Sequence, residues 1–160
     1  MLTQERLKEV LEYNPDTGVF IWIKPPGKRL KYGEVAEYLD TRGYYAIGLD
    51  KKQYRAHRLV FLYMTGSFPR NEVDHINHNR ADNRWANLRD VSRTENGKNQ
   101  KLNSRNTSSV CGVDWRKDIS KWRVRINPGI LIGNFSEFAD AVIARKEAEK
   151  QHRFHANHGN

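Results

Sequence analysis

Val73-Asp74-His75-Ile76-Asn77 holds the densest chemistry in this 160-residue chain. An adjacent Asp and His combine a hard oxygen ligand with a base that titrates near neutrality. In a strand such neighbours point to opposite faces, so a turn or strand end is needed to bring both to one site. Twelve residues beyond His75 comes Asn87, in Asp82-Asn83-Arg84-Trp85-Ala86-Asn87-Leu88-Arg89, a stretch of amides and guanidiniums. Nine residues further comes Asn96, in Thr94-Glu95-Asn96-Gly97-Lys98-Asn99, which reads as helix. The window 71–106 contains nine asparagines and many charges. That is a loop-like composition, and a loop so long in a small protein is uncommon unless it has a function.

Around this stretch the composition is basic. Lys plus Arg number 28 against 19 Asp plus Glu, a formal charge of +9. A balance of this kind points to an anionic polymer as partner, nucleic acid first. Apolar residues make up 38% and charged residues 29%, a water-soluble composition with limited core material for one medium domain or two small ones. No apolar run reaches about 18 residues, so no membrane span is expected. The opening MLTQERLKEV has charges where a signal peptide needs an apolar run, which predicts an intracellular protein. Cys111 is the only cysteine, excluding an internal disulfide framework and a multi-cysteine zinc site.

Thr3 can cap a short helix carrying Leu7, Val10 and Leu11 on one face. The cluster Asn14-Pro15-Asp16-Thr17-Gly18 stops it, and Val19–Ile23 reads as a buried strand. Pro25-Pro26-Gly27 breaks that strand and a basic loop follows. Tyr44–Leu49 and Gln53–Ala56 read as two strands joined through Asp50-Lys51-Lys52. Residues 57–65 suit a helix ending at Gly66, although so short an apolar run also fits a strand. His57 is read as a packing or capping residue. His78 and the triplet His152, His155 and His158 are read as surface or tail residues.

Beyond 107 the periodicity sharpens. Gly112–Lys117, Lys121–Ile126 and Leu131–Phe135 read as strands, with a turn at Asn127-Pro128-Gly129. A helix starting at Ser136 follows, with Phe138, Ala141, Val142, Arg145 and Ala148 on its inner face. Alternation puts Trp122, Val124 and Ile126 on one face of the middle strand and Lys121, Arg123 and Arg125 on the other. In the first strand Val113 and Trp115 share a face, expected to be core, opposite Asp114 and Arg116. The outer face is then a cationic three-stranded sheet suited to a DNA groove. Between Arg93 and Arg125 lie nine Lys and Arg against three acidic residues.

The stretch from Ala56-His57-Arg58-Leu59-Val60 to Asn99, with Asp16–Phe20 and Gly43-Tyr44 upstream, resembles the HNH (His-Me finger) endonucleases. It is most similar to their phage-type branch of intron-encoded and free-standing homing enzymes. In that resemblance His75 matches the first His, Asn87 the central Asn and Asn96 the third position. There Asn stands where the motif is named for His, making metal binding weaker and more oxygen-dependent. The resemblance implies that Asp74 and Asn96 hold one divalent ion, Mg²⁺ or else Mn²⁺, through oxygen atoms. It implies that His75 takes a proton from water, that Asn87 holds the imidazole by hydrogen bonding, and that Arg89 clamps a phosphate.

Gly112–Lys117, Lys121–Ile126 and Ile132-Gly133-Asn134-Phe135, with Trp115, Trp122, Gly133 and Phe135 as skeleton, resemble an Apetala-type (ethylene-response-factor) DNA-binding domain. This implies that Arg116, Arg123 and Arg125 approach bases or phosphates, with Lys98, Lys117 and Lys121 adding cationic contacts. The expected fold is α+β: a ββα-metal nuclease core with an N-terminal β-rich extension, then a small three-stranded antiparallel sheet packed on one helix. The expected boundaries are 1–55 for the extension, 56–103 for the nuclease core, 104–109 for a linker and 110–156 for the reading module. The function implied is metal-dependent, site-selective cleavage of double-stranded DNA by a monomer or weak dimer. It would act in the cytoplasm of a phage-infected or prophage-bearing bacterium, with no small-molecule cofactor. The alternatives are a non-catalytic DNA-binding regulator with a vestigial Asp74-His75 site, and an RNA-binding or structural phage protein.

Overall fold

A computed structural model describes residues 2–126 and 129–160. It is a mixed α+β chain of small antiparallel sheets, divided into two compact units, 1–91 and 92–160. The division falls inside the expected 56–103 core. The reason is apolar: residues from Leu2 to Leu88 bury into a single cluster, so the N-terminal extension and the helix after it share one core. Among the described residues no helix is long and apolar enough to cross a membrane.

In the first unit Thr3 caps α1 (Gln4–Val10), its Oγ1 accepting from the Arg6 N–H at 3.2 Å. The chain passes directly into β1 (Leu11–Asn14), which pairs antiparallel with β2 (Val19–Trp22). The turn between them is built by Asn14, whose Oδ1 accepts from the N–H groups of Asp16 at 2.9 Å and Thr17 at 3.1 Å. Gly18 closes it at φ 77°. Its backbone lies against another segment: a Cβ there would sit 2.5 Å from Arg84 N and 2.6 Å from the Asn83 carbonyl carbon.

Three strands follow in one sheet, β3 (Tyr38–Leu39), β4 (Tyr45–Leu49) and β5 (Lys52–Arg55). Leu49 pairs with Lys52, so the loop is only Asp50-Lys51, both at positive φ, the geometry that matches strand twist. The run after β5 is helical: α2 (Ala56–Thr65) ends on Gly66 at φ 80° and buries Leu59, Val60, Phe61 and Leu62. Then β6 (Glu72–His75) pairs antiparallel with β7 (Leu88–Val91), after a single 3₁₀ turn at Trp85–Asn87. Asp90 fixes the approach to β6 by accepting from Arg70 N at 2.9 Å and Asn71 N at 3.0 Å.

The second unit opens with α3 (Arg93–Gly97), capped by Ser92 Oγ on the Glu95 N–H. Its sheet has the order β10 (Ile130–Phe135), β9 (Lys121–Ile126), β8 (Val113–Arg116), and α4 (Phe138–Gln151) packs on it. Of the expected turn at 127–129, Asn127 and Pro128 lie outside the described residues. The core is small: Val113, Val124 and Ala141, flanked by Trp122, Ile132 and Phe135. Trp115 does not join it and is 42% exposed, because β8 is an edge strand; its ring meets Trp122 edge-on at 5.2 Å. Helix α4 starts two residues later than expected, and Phe138 lies over Trp122 at 4.6 Å, still exposed, in place of an inner-face position. The segment expected as a linker is folded: Ser108 is buried and its Oγ donates to Val113 O at 2.6 Å.

The C-terminal histidines are not a loose tail. Arg145 is 2% exposed and donates from Nε to Glu149 and from Nη1 to Arg125 O, at 2.7 and 2.6 Å. Its Nη2 lies 3.1 Å from His158 Nε2, and Phe154 faces its guanidinium at 5.1 Å. Backbone bonds from His155 N to Lys98 O (3.1 Å) and Gly159 N to Gln100 O (2.9 Å) lay this end of the unit along its beginning.

Gly18→Ala is expected to lose about 2–4 kcal/mol in urea unfolding, from positive φ plus backbone collision. Gly33→Ala has the same sign of φ but open space around it. It should lose only about 1 kcal/mol.

Candidate active site

Asp74 and His75 are the last two residues of β6, and both are buried, each 5% exposed. A strand sends neighbouring side chains to opposite faces, so two adjacent buried polar groups need separate partners. Register supplies the first. Asp74 lies directly across from Arg89 on β7. The Arg89 fork donates to Asp74 Oδ2 from Nε at 2.9 Å and from Nη2 at 2.6 Å. The guanidinium expected to clamp a phosphate is therefore engaged by the carboxylate expected to hold metal.

His75 meets a different set. Its Nε2 lies 3.3 Å from Asn83 Oδ1. Its ring takes the His57 ring edge-on at 5.2 Å and an interplanar angle of 90°, and Tyr44 closes the cluster at 6.0 Å. Arg55 and Arg80 hold their guanidiniums over Tyr44 at 4.3 and 5.1 Å. Burial pushes the His75 imidazole below its ordinary pKa, against the opposite pull of the Asn83 hydrogen bond and the Asp74 charge. Burial thus disfavours the charged form of the ring.

Asn87, expected to hold the imidazole in position by hydrogen bonding, bonds across the loop that follows His75. Its Oδ1 accepts from Asn77 N at 3.0 Å and its Nδ2 donates to Asp82 O at 2.8 Å. Its carbonyl accepts from Ile76 N at 2.9 Å. Asn87 clips the two ends of the 76–87 loop together, and so steadies His75 through the backbone. Asp82 steadies the same loop. Hydrogen bonds from Arg84 first, then Asn77, hold its carboxyl down to about 2. His78 sits in the tight turn after β6 at φ 62°, its N–H donating to His75 O at 2.9 Å.

Nothing in the sequence marks Asn83 as a site residue; Tyr44 enters there only with Gly43 in the resemblance and at the head of a strand, and His57 as a packing or capping residue. Asn83 was one asparagine among nine, and nothing in its spacing marks it. It is 1% exposed, the most buried polar side chain in the unit.

Asn96, the third motif position, belongs to the second unit. It is half-buried on α3, its N–H bonded to Ser92 O at 2.9 Å. In the same unit Lys98 pairs with Glu95 at 2.7 Å. On the sheet Arg123 and Arg125 both grip Asp114, at 2.7 and 3.2 Å, and Arg116 grips Asp118 at 2.6 Å. Lys117 and Lys121 are exposed and have no carboxylate partner among the described residues.

His57 makes stability depend on pH. It is buried, and among the described residues its Nδ1 has no hydrogen-bond partner. Burial first, then the neighbouring His75, Arg55 and Arg58, depress it from 6.5 to about 3. Between those values the unfolded chain binds a proton that the folded chain refuses, so stability falls as pH falls below about 6.5. In urea titrations from pH 7.5 to 4.5, His57→Gln is expected to flatten that decline.

With the geometry in place, comparison with known proteins is informative. Residues 54–98 match the family model described as HNH endonuclease. A solved structure, "DNA binding and cleavage by the HNH homing endonuclease I-HmuI", is similar at 29% identity with a TM-score of 0.45, over 57% of this chain and 51% of that one. The chain thus spans about half the length of that endonuclease. No curated protein matches it. Over residues 54–98, a little over a quarter of its length, the chain is similar to the HNH endonucleases.

Proposed function

We propose that this chain is a metal-dependent, site-selective endonuclease of the phage homing type, acting on double-stranded DNA. The observation that carries the reading is the end of β6. A buried carboxylate and a buried imidazole are consecutive residues there, within the matched segment. His75 takes a proton from water as the water oxygen attacks phosphorus. The bond from phosphorus to the 3′ oxygen then breaks on the opposite side. Asn87 keeps the loop closed so that the imidazole holds its place.

Asp74 offers a carboxylate oxygen, a hard donor that fits Mg²⁺ or Mn²⁺. Such an ion uses one or two carboxylates and keeps several waters. It does not require the cluster of three His, Cys, Asp or Glu that is absent among the described residues. When bound, a divalent ion would offset the negative charge that develops on the phosphate and the leaving oxygen. Arg89 sets the Asp74 carboxylate, leaving Oδ2 doubly bonded on one side.

The nuclease core, 56–103, would grip the backbone with little base preference, and the Apetala-type module, 110–156, would add sequence choice. Lys117 and Lys121 bring uncompensated charge to that sheet, while Arg116, Arg123 and Arg125 are pre-oriented by Asp114 and Asp118. Partly exposed pairs of this kind are worth about 0–1 kcal/mol. Exchanging a carboxylate for a phosphate therefore costs little. Lys98, near the end of that core in sequence, would add a further backbone contact.

The test is cleavage of a supercoiled plasmid library carrying the source genome in fragments, with Mg²⁺ or Mn²⁺. Site-selective nicking or cutting is expected, abolished by EDTA and reduced about 10²–10⁴-fold in His75→Ala. Tight binding without cleavage under either metal would instead favour a DNA-binding regulator with a vestigial site.

A further inference from the structure

We propose that Asn83 is a positioning residue that decides which nitrogen of His75 carries its proton, and that the Asn14–Gly18 turn of the N-terminal hairpin holds Asn83 to that task. The inference rests on the reading of His75 as general base and adds the part of the fold that prepares it.

A neutral imidazole has one N–H donor and one lone pair, and in water the Nε2–H tautomer is favoured only about several-fold, so both are populated until a neighbour selects one. A general base needs its lone pair on the nitrogen that faces the water it deprotonates. At His75 the amide oxygen of Asn83 lies 3.3 Å from Nε2. An oxygen there accepts from Nε2–H and repels a lone pair, so it selects the Nε2–H tautomer and leaves the lone pair on Nδ1. The site is buried, which strengthens the selection over what water would allow. His57 and Tyr44 wall the ring at 5.2 and 6.0 Å and limit its rotation, so the choice of nitrogen is also a choice of direction.

Asn83 must itself be fixed, and its side chain is not anchored on the amide side: among the described residues its Nδ2 is buried without a hydrogen-bond partner. The anchoring is through its backbone, by the hairpin. Tyr13 Oη donates to Asn83 O at 2.7 Å. Trp85 N donates to Pro15 O at 3.1 Å. Gly18 packs so closely on the Asn83–Arg84 peptide that even a methyl group has no room. Tyr13 is in turn locked by Phe20 and Tyr63, with ring centroids at 4.8 and 5.7 Å. Three contacts from one hairpin, one from β1 and two from its turn, thus fix the 83–85 segment that carries the residue touching the base.

The experiment reads the tautomer directly. Long-range ¹H–¹⁵N spectra of the full chain with labelled histidine, at pH 8 where His75 is neutral, identify the protonated nitrogen. Wild type is expected to show Nε2–H; a wild type with Nδ1–H overturns the proposal. Asn83→Ala should lose the single tautomer and lower kcat about 10–100-fold with KM within about 2-fold, while Asn83→Asp, which keeps an acceptor oxygen, should restore both. Tyr13→Phe should give a smaller loss of the same kind. Asn83→Ala that folds and keeps both the Nε2–H signal and the wild-type rate also overturns it. Should Asn83→Ala fail to fold, the wild-type spectrum and Asn83→Asp still decide. Because the spectra need no substrate, a wild type that cuts no DNA counts against the nuclease reading alone.

Discussion

Two neighbouring polar side chains, both out of water, at the end of one short strand: this is the constraint that the first unit is organised around. Strand alternation prevents Asp74 and His75 from sharing a partner, so the fold supplies one for each. The carboxylate is served from within the hairpin, by the residue opposite it in register. The imidazole is served from three distant places: Asn83 in the following loop, His57 on α2 and Tyr44 before β4. An unpaired carboxylate at that burial would be costly, and a freely turning imidazole would be useless as a base. The N-terminal extension therefore does more than complete a core.

The second unit solves a different problem. Its apolar cluster is small, and polar groups carry part of the order. Arg145 illustrates this. A buried guanidinium is tolerable only when nearly all its donors are used, and here Glu149, Arg125 O and His158 take them while Phe154 covers its face. Gly112 is required beside it, since a Cβ would lie 2.3 Å from Arg125 O. On the other face of the sheet the same chemistry is left in water, where arginines and aspartates pair loosely.

Local pattern was enough to read much of this from the chain. Thr3 as a cap, the Asn14–Gly18 turn, the three strands of the second sheet and the Asp74-His75 pair all depend on neighbours in sequence. The helix at 56–65 was ambiguous because ten apolar-rich residues fit two periods, and burial against the N-terminal core decides for helix. What could not be read was long-range. Arg89 faces Asp74 only because β6 and β7 pair in one register. Asn83 matters only because a loop returns it to His75. Trp115 is exposed because its strand is at an edge, a property of topology and not of its alternation pattern. His158 is buried because a helix two turns earlier presents Arg145 to it, whereas its sequence surroundings look like a polar tail.

The bonds from Lys98 O to His155 N and from Gln100 O to Gly159 N have a consequence for how such a unit can be moved about. They bring its entry and its exit together. A module closed in this way can be cut out or grafted with a short splice at one point on its host, with no need to span its own width.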